Sequence, residues 1–105
     1  QLVATIAERC AQAGAALDDD RAEEAVTILK DAADEARQAG IHESEATVRG
    51  FLAQALLMAG DRDSAQAEAK EAIRLAQELG DKEAEKNFQD VLKMASGWVP
   101  SEGSS

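Results

Sequence analysis

Apolar residues recur along this chain at intervals of three and four, and the pattern breaks at regular distances. That spacing predicts amphipathic helices, and five can be placed. The first covers about Leu2 to Leu17, with Leu2, Ile6, Ala13 and Leu17 on one stripe. The second covers about Arg21 to Ala39, with Ala22, Ala25, Val26, Leu29, Ala32, Ala33 and Ala36 facing inward. The third runs from near His42 to Ala59; its wide apolar face of Val48, Phe51, Leu52, Ala55, Leu56 and Ala59 makes it the most buried of the five. Asp61 or Asp63 starts the fourth, which ends at Leu79 with Ala65, Ala69, Ala72, Ile73 and Ala76 inward. The fifth covers about Lys82 to Ala95 and carries Phe88, Val91, Leu92 and Ala95 on a single face, as expected of a last helix packed on one side. Gly40, Gly60 and Gly80 are the helix stops. Any of Asp18, Asp19 and Asp20 could cap the second helix, because a carboxylate accepts from free backbone N–H groups. No strand-like alternation is present.

The elements also repeat. A shift of forty positions places Ala25 on Ala65, Ala32 on Ala72, Ala36 on Ala76, Gly40 on Gly80, Glu43 on Glu83, Leu52 on Leu92 and Ala55 on Ala95. A fixed period in this range is the mark of stacked units, each hiding its apolar face against the next.

Within that repeat, the stretch from Ala46 to Leu79 resembles a tetratricopeptide repeat, a helix–turn–helix unit. Leu52 and Ala53 stand at the Leu-Gly/Ala pair of the first helix, Leu56 at the large position, Gly60-Asp61 between the helices, and Ala65 and Ala72 at the two small positions of the second. Arg49 departs from the pattern, standing where a Trp or another large apolar residue is usual, and the closing proline is absent. The period near forty resembles the longer variant of the family found in bacterial transcriptional activators and some eukaryotic adaptors. The first unit, about Ile6 to Ala39, matches more weakly, and the last helix matches half a unit. The resemblance implies an all-α fold, a right-handed α-solenoid of about five helices. It would occupy residues 1–95, followed by a flexible tail over 96–105 rich in Ser and Gly.

Composition narrows the function. Hydrophobic residues make up 45% of the 105, enough for a core, but aromatics only 3%, so alanine carries much of the packing. The net charge is −10 with no block of Lys or Arg, so neither nucleic acid nor an anionic membrane is an expected partner. The uncharged run from Gly50 to Gly60 is too short to span a bilayer. Glu8 and Arg9 interrupt the one apolar N-terminal stretch, so no signal peptide is expected. The single Cys10 fits a reducing compartment, and a cytoplasmic location is expected. Gln1 stands where Met would open a complete chain, as expected of a fragment or processed product with flanking domains elsewhere.

Candidate chemistry is sparse. His42 is the only histidine and has no cysteine nearby, so no zinc site is expected. Asp18–Asp20 and Asp61-x-Asp63 do not continue into a calcium loop with a closing Glu. No nucleophile–base pair or phosphate loop can be assembled, so neither an enzyme nor a cofactor is expected. Gly14 and Gly50 fall inside helices, where glycine is costly unless another backbone must approach closely.

In the resembled family the first helix of each unit lines the inner surface. Carried over by alignment, the partner-binding residues are Ala7, Cys10, Gly14, Thr47, Gly50, Gln54, Met58, Asn87, Asp90 and Met94. The Lys, Asn and Arg clamp with which some members hold a peptide carboxylate is missing, since Cys10, Gly14, Gly50, Gln54 and Val91 stand there. The resemblance therefore implies a protein-interaction scaffold whose smooth, weakly polar groove receives a helix or peptide of a partner, with little dependence on salt. The alternative is a structural or regulatory segment of a larger protein, such as the sensor arm of a transcriptional activator, or a self-association module.

Overall fold

The computed structural model describes residues 2–97. Within them lie five helices: α1 (Leu2–Asp18), α2 (Ala22–Ala39), α3 (His42–Met58), α4 (Arg62–Leu79) and α5 (Lys82–Ala95). No strand occurs among the described residues. The expected tail lies outside them except for Ser96 and Gly97, which form a turn.

Each helix packs on the next in sequence, and α3 also touches both α1 and α5. α1 meets neither α4 nor α5, and α2 does not meet α4. The molecule is accordingly a slab of 51 × 34 × 19 Å, an open array rather than a closed bundle. The odd-numbered helices form one row, with α2 and α4 behind it. No helix among the described residues is long and apolar enough to cross a membrane.

The four interhelix turns share one geometry. Gly40, Gly60 and Gly80 have φ of 72°, 88° and 72°. At each, the amide of the left-handed residue donates to the carbonyl three residues back, and the next amide donates to the carbonyl five residues back. This bonding satisfies carbonyls that a helix end leaves orphaned. The first turn repeats the pattern with Asp20 at φ 62° in the glycine's place. No side chain caps α2, whose N-cap is Arg21. The aspartates expected there are thus not caps: Asp20 supplies the turn, and Asp19 pairs with Arg21 at 3.3 Å. Asp61 and Asp81 do cap, accepting from the amides of Ser64 at 3.1 Å and Ala84 at 3.0 Å. The Ser64 bonds hold the Asp61 carboxyl below the usual carboxylate range.

Alanine sits wherever two helices cross closely. The repeat-related pairs Ala25 and Ala65, Ala32 and Ala72, and Ala36 and Ala76 are all fully buried. Leu29, Val48 and Leu52 are the largest side chains shut away from solvent. α3, central in its row, buries more residues than any other helix, as its wide apolar face predicts. Leu2, Leu17, Ala22, Val26, Ala59, Phe88 and Leu92, expected on inward faces, are half-buried, and two further positions differ. On α4 the residue beside Ala72 and Ala76 that is buried is Leu75, whereas Ile73 is half-buried. On α3, Phe51 is 42% exposed.

The buried carboxylate of Glu45 explains Arg49. Its Nε donates to Glu45 Oε2 at 2.8 Å, and its Nη1 donates to Glu68 Oε1 at 2.7 Å, so the guanidinium ties α3 to α4. Glu45 is itself buried. Burial alone would lower the guanidinium's pKa, but the two carboxylates outweigh it and raise it. The guanidinium thus bridges one carboxylate on each of the two helices.

Candidate interaction groove

The row of α1, α3 and α5 presents one face on which three hollows adjoin. Val3, Ile6, Ala7 and Cys10 of α1 meet Thr47, Val48 and Phe51 of α3 around the first. Ala13, Gly14 and Leu17 meet Leu29, Phe51 and Gln54 around the second, which Cys10 also lines. Thr47, Gly50, Phe51 and Gln54 meet Ala84, Asn87, Phe88, Asp90, Val91 and Met94 around the third. Phe51 is common to all three and forms the floor between them. Val3 and Met94 stand 53% and 56% exposed at either side. The result is one apolar groove, with amides and hydroxyls scattered along it.

Of the ten residues expected to face a partner, the structure brings eight onto this groove with open surface: Ala7, Cys10, Gly14, Thr47, Gln54, Asn87, Asp90 and Met94. Gly50 lines the groove but is buried. The close neighbour its missing side chain admits is Phe88 of the chain's own α5, not a partner. Gly14 is the reverse case, with open space where its β-carbon would stand. Met58 does not join the groove. It lies beside the α1–α2 turn, with Asp20, Arg21 and Glu24.

Phe51 stands outside the expected set, yet its signal is present in the sequence. Positions 47, 50, 51 and 54 are one helical stripe, so Phe51 shares a face with Thr47 and Gln54. Its aromatic ring suggests core, but the core of α3 is supplied by Val48, Leu52, Ala55 and Leu56 on the adjoining stripe.

Cys10 is half-buried, and burial raises its thiol's pKa, which disfavours the nucleophilic thiolate. His42 is exposed at the first position of α3. Among the described residues no group of three or more His, Cys, Asp and Glu could hold a metal ion. Arg49 engages Glu45 and Glu68 and does not line the hollows. Comparison of the chain with models of known protein families, with curated proteins and with solved structures finds no match.

Proposed function

We propose that this domain is a non-enzymatic interaction scaffold, similar to a long-period tetratricopeptide repeat, that receives a helix or peptide of a partner protein in the groove of α1, α3 and α5. The observation that carries the reading is Phe51: a large aromatic 42% exposed at the junction of three apolar hollows. Exposed apolar surface of this kind, contiguous and rimmed by polar groups, suits a binding face. The forty-residue period and the open stack support the family resemblance. The groove's floor and small residues support a helical occupant, because an amphipathic helix can lay its apolar face along such a channel.

The test is site-directed photocrosslinking in extract of the source cell. A crosslinker at Gln54 or Met94 should capture the same protein, and one at Lys70, exposed on α4 away from the groove, should not. Capture from Lys70 alone, or no difference among the three positions, would overturn the reading.

A further inference from the structure

The groove is apolar at its floor but one-signed at its edges. Among the described residues its charged lining is Glu43, which borders both the α1-side hollow and the one past Phe88, and Asp90, at the α5 side. No Lys, Arg or His lines any of the three hollows. The hollow that continues past Phe88 adds Asp81 and again no cation. The lysines of α5, Lys82, Lys86 and Lys93, lie off this lining. Behind the groove, the molecule as a whole carries −10.

Resting on the interaction reading above, we infer that the occupant is an amphipathic helix of another protein whose apolar face seats on Phe51 and whose flanking positions carry Lys or Arg. Charge complementarity separates this occupant from the others. A second copy of the chain would bring another −10 and a second acidic rim against the first. The chain's own residues 98–105 include Trp98 and Val99 but only Glu102 as a charged side chain, with no cation to meet Glu43 or Asp90. A basic partner gains where both of these lose, since like charges across an interface are repelled and opposite ones attracted. The lining of α3 from Glu43 to Gln54 runs roughly 16 Å at 1.5 Å per residue, which accommodates about three turns of a helix. Such an occupant would bind with a dependence on salt that the mostly uncharged lining alone does not predict.

Two synthetic helical peptides test the inference, alike in a Leu/Met face and differing in Lys or Glu at the remaining positions. Fluorescence anisotropy measures their binding to the intact chain at low and high salt. The Lys peptide should bind at least tenfold tighter than the Glu peptide, and added salt should narrow the gap. Two double variants then remove the same total charge from different places: Glu43→Gln with Asp90→Asn in the groove, and Glu71→Gln with Glu78→Gln on the exposed surface of α4. The groove pair should lower affinity for the Lys peptide about threefold to tenfold, and the α4 pair by less than twofold.

Equal binding of both peptides, with both lost in Phe51→Ala, would overturn the basic partner while leaving the groove in place. Equal loss from the two double variants, with Phe51→Ala indifferent, would show binding to general acidic surface and overturn both readings, as would no binding of either peptide. Concentration-dependent dimerisation abolished by Phe51→Ala would assign the groove to a second copy. A rise in peptide affinity in the full chain carrying Trp98→Ala and Val99→Ala would assign it to the chain's own C-terminal residues.

Discussion

The Phe88 ring lies so close to Gly50 that a β-carbon on residue 50 would stand 2.3 Å from Phe88 Cε1 and 2.8 Å from Cδ1. The glycine in mid-helix is thereby explained. It lets a ring of α5 settle against the backbone of α3, and this contact helps fix the last helix to the row. A glycine inside a helix costs about 0.5–1 kcal/mol relative to alanine, so the contact must return at least that much.

The pair makes a double-mutant cycle with a change of sign. Gly50→Ala should destabilise the protein by roughly 0.5–2 kcal/mol, because the helix-propensity gain is smaller than the burial lost when Phe88 is pushed outward. In a Phe88→Ala background the obstacle is gone, and the same Gly50→Ala should stabilise by about 0.5–1 kcal/mol. Urea denaturation of the four proteins measures both steps. If Gly50→Ala stabilises the parent as well, the ring does not depend on the glycine.

The triad of Arg49, Glu45 and Glu68, buried at Glu45 and half-buried at the other two, should behave as a unit. Arg49→Met leaves Glu45, which is 4% exposed, without its counter-charge. Removing one partner of a buried pair typically costs about 3–5 kcal/mol. Replacing all three by apolar residues of similar size should recover most of that loss and can exceed the parent, since the desolvation of three charges disappears. The exposed cluster of Arg74 with Glu71 and Glu78 is the control. Its hydrogen bonds raise the Arg74 pKa and lower that of Glu71, but solvent screens such a cluster, and Arg74→Met should leave the urea midpoint unchanged. Comparable losses from Arg49→Met and Arg74→Met would show that burial does not govern the triad.

Much of the fold is legible in the sequence because its constraints are local. A small residue is needed wherever helices cross, and a left-handed residue wherever they turn back, so Ala25/Ala65 and Gly40/Gly80 announce the period. The groove is legible to the extent that helical spacing aligns Thr47, Gln54, Asn87 and Met94. What the spacing does not say is which of two apolar stripes on one helix faces its neighbours. On α3, Val48 and Leu52 go inward while Phe51 stays in the open groove, a choice made by where α2 and α4 lie. The same ambiguity exchanges Ile73 and Leu75 on α4. Arg49 looks like a defect in the pattern until Glu68, nineteen positions away, is seen to reach it. Nor does one residue's identity reveal that Phe88 closes over Gly50, because that contact joins separate units.

The first turn supplies a stabilising prediction. Asp20 holds φ at 62° in a turn whose three counterparts all use glycine. The bonding is the same: the Asp20 amide donates to Leu17 O at 3.1 Å and the Arg21 amide to Ala16 O at 2.7 Å. An L side chain meets its own backbone in this region, though Asp tolerates it better than most. Asp20→Gly should relieve that strain, and about 0.5–1 kcal/mol remains after the greater freedom glycine gives the unfolded chain. In a domain of this size that is a rise in melting temperature of roughly 2–8 °C. Asp20→Asn isolates the charge: it relieves repulsion within Asp18–Asp20 while keeping a side chain at the left-handed position, so it should recover less than glycine does. The reverse changes, Gly40→Asp and Gly80→Asp, should each lower the melting temperature by a similar amount. Thermal melts followed by circular dichroism compare all four. An Asp20→Gly variant that melts at or below the parent would mean that the turn carries no strain and that aspartate is as well suited to it as glycine.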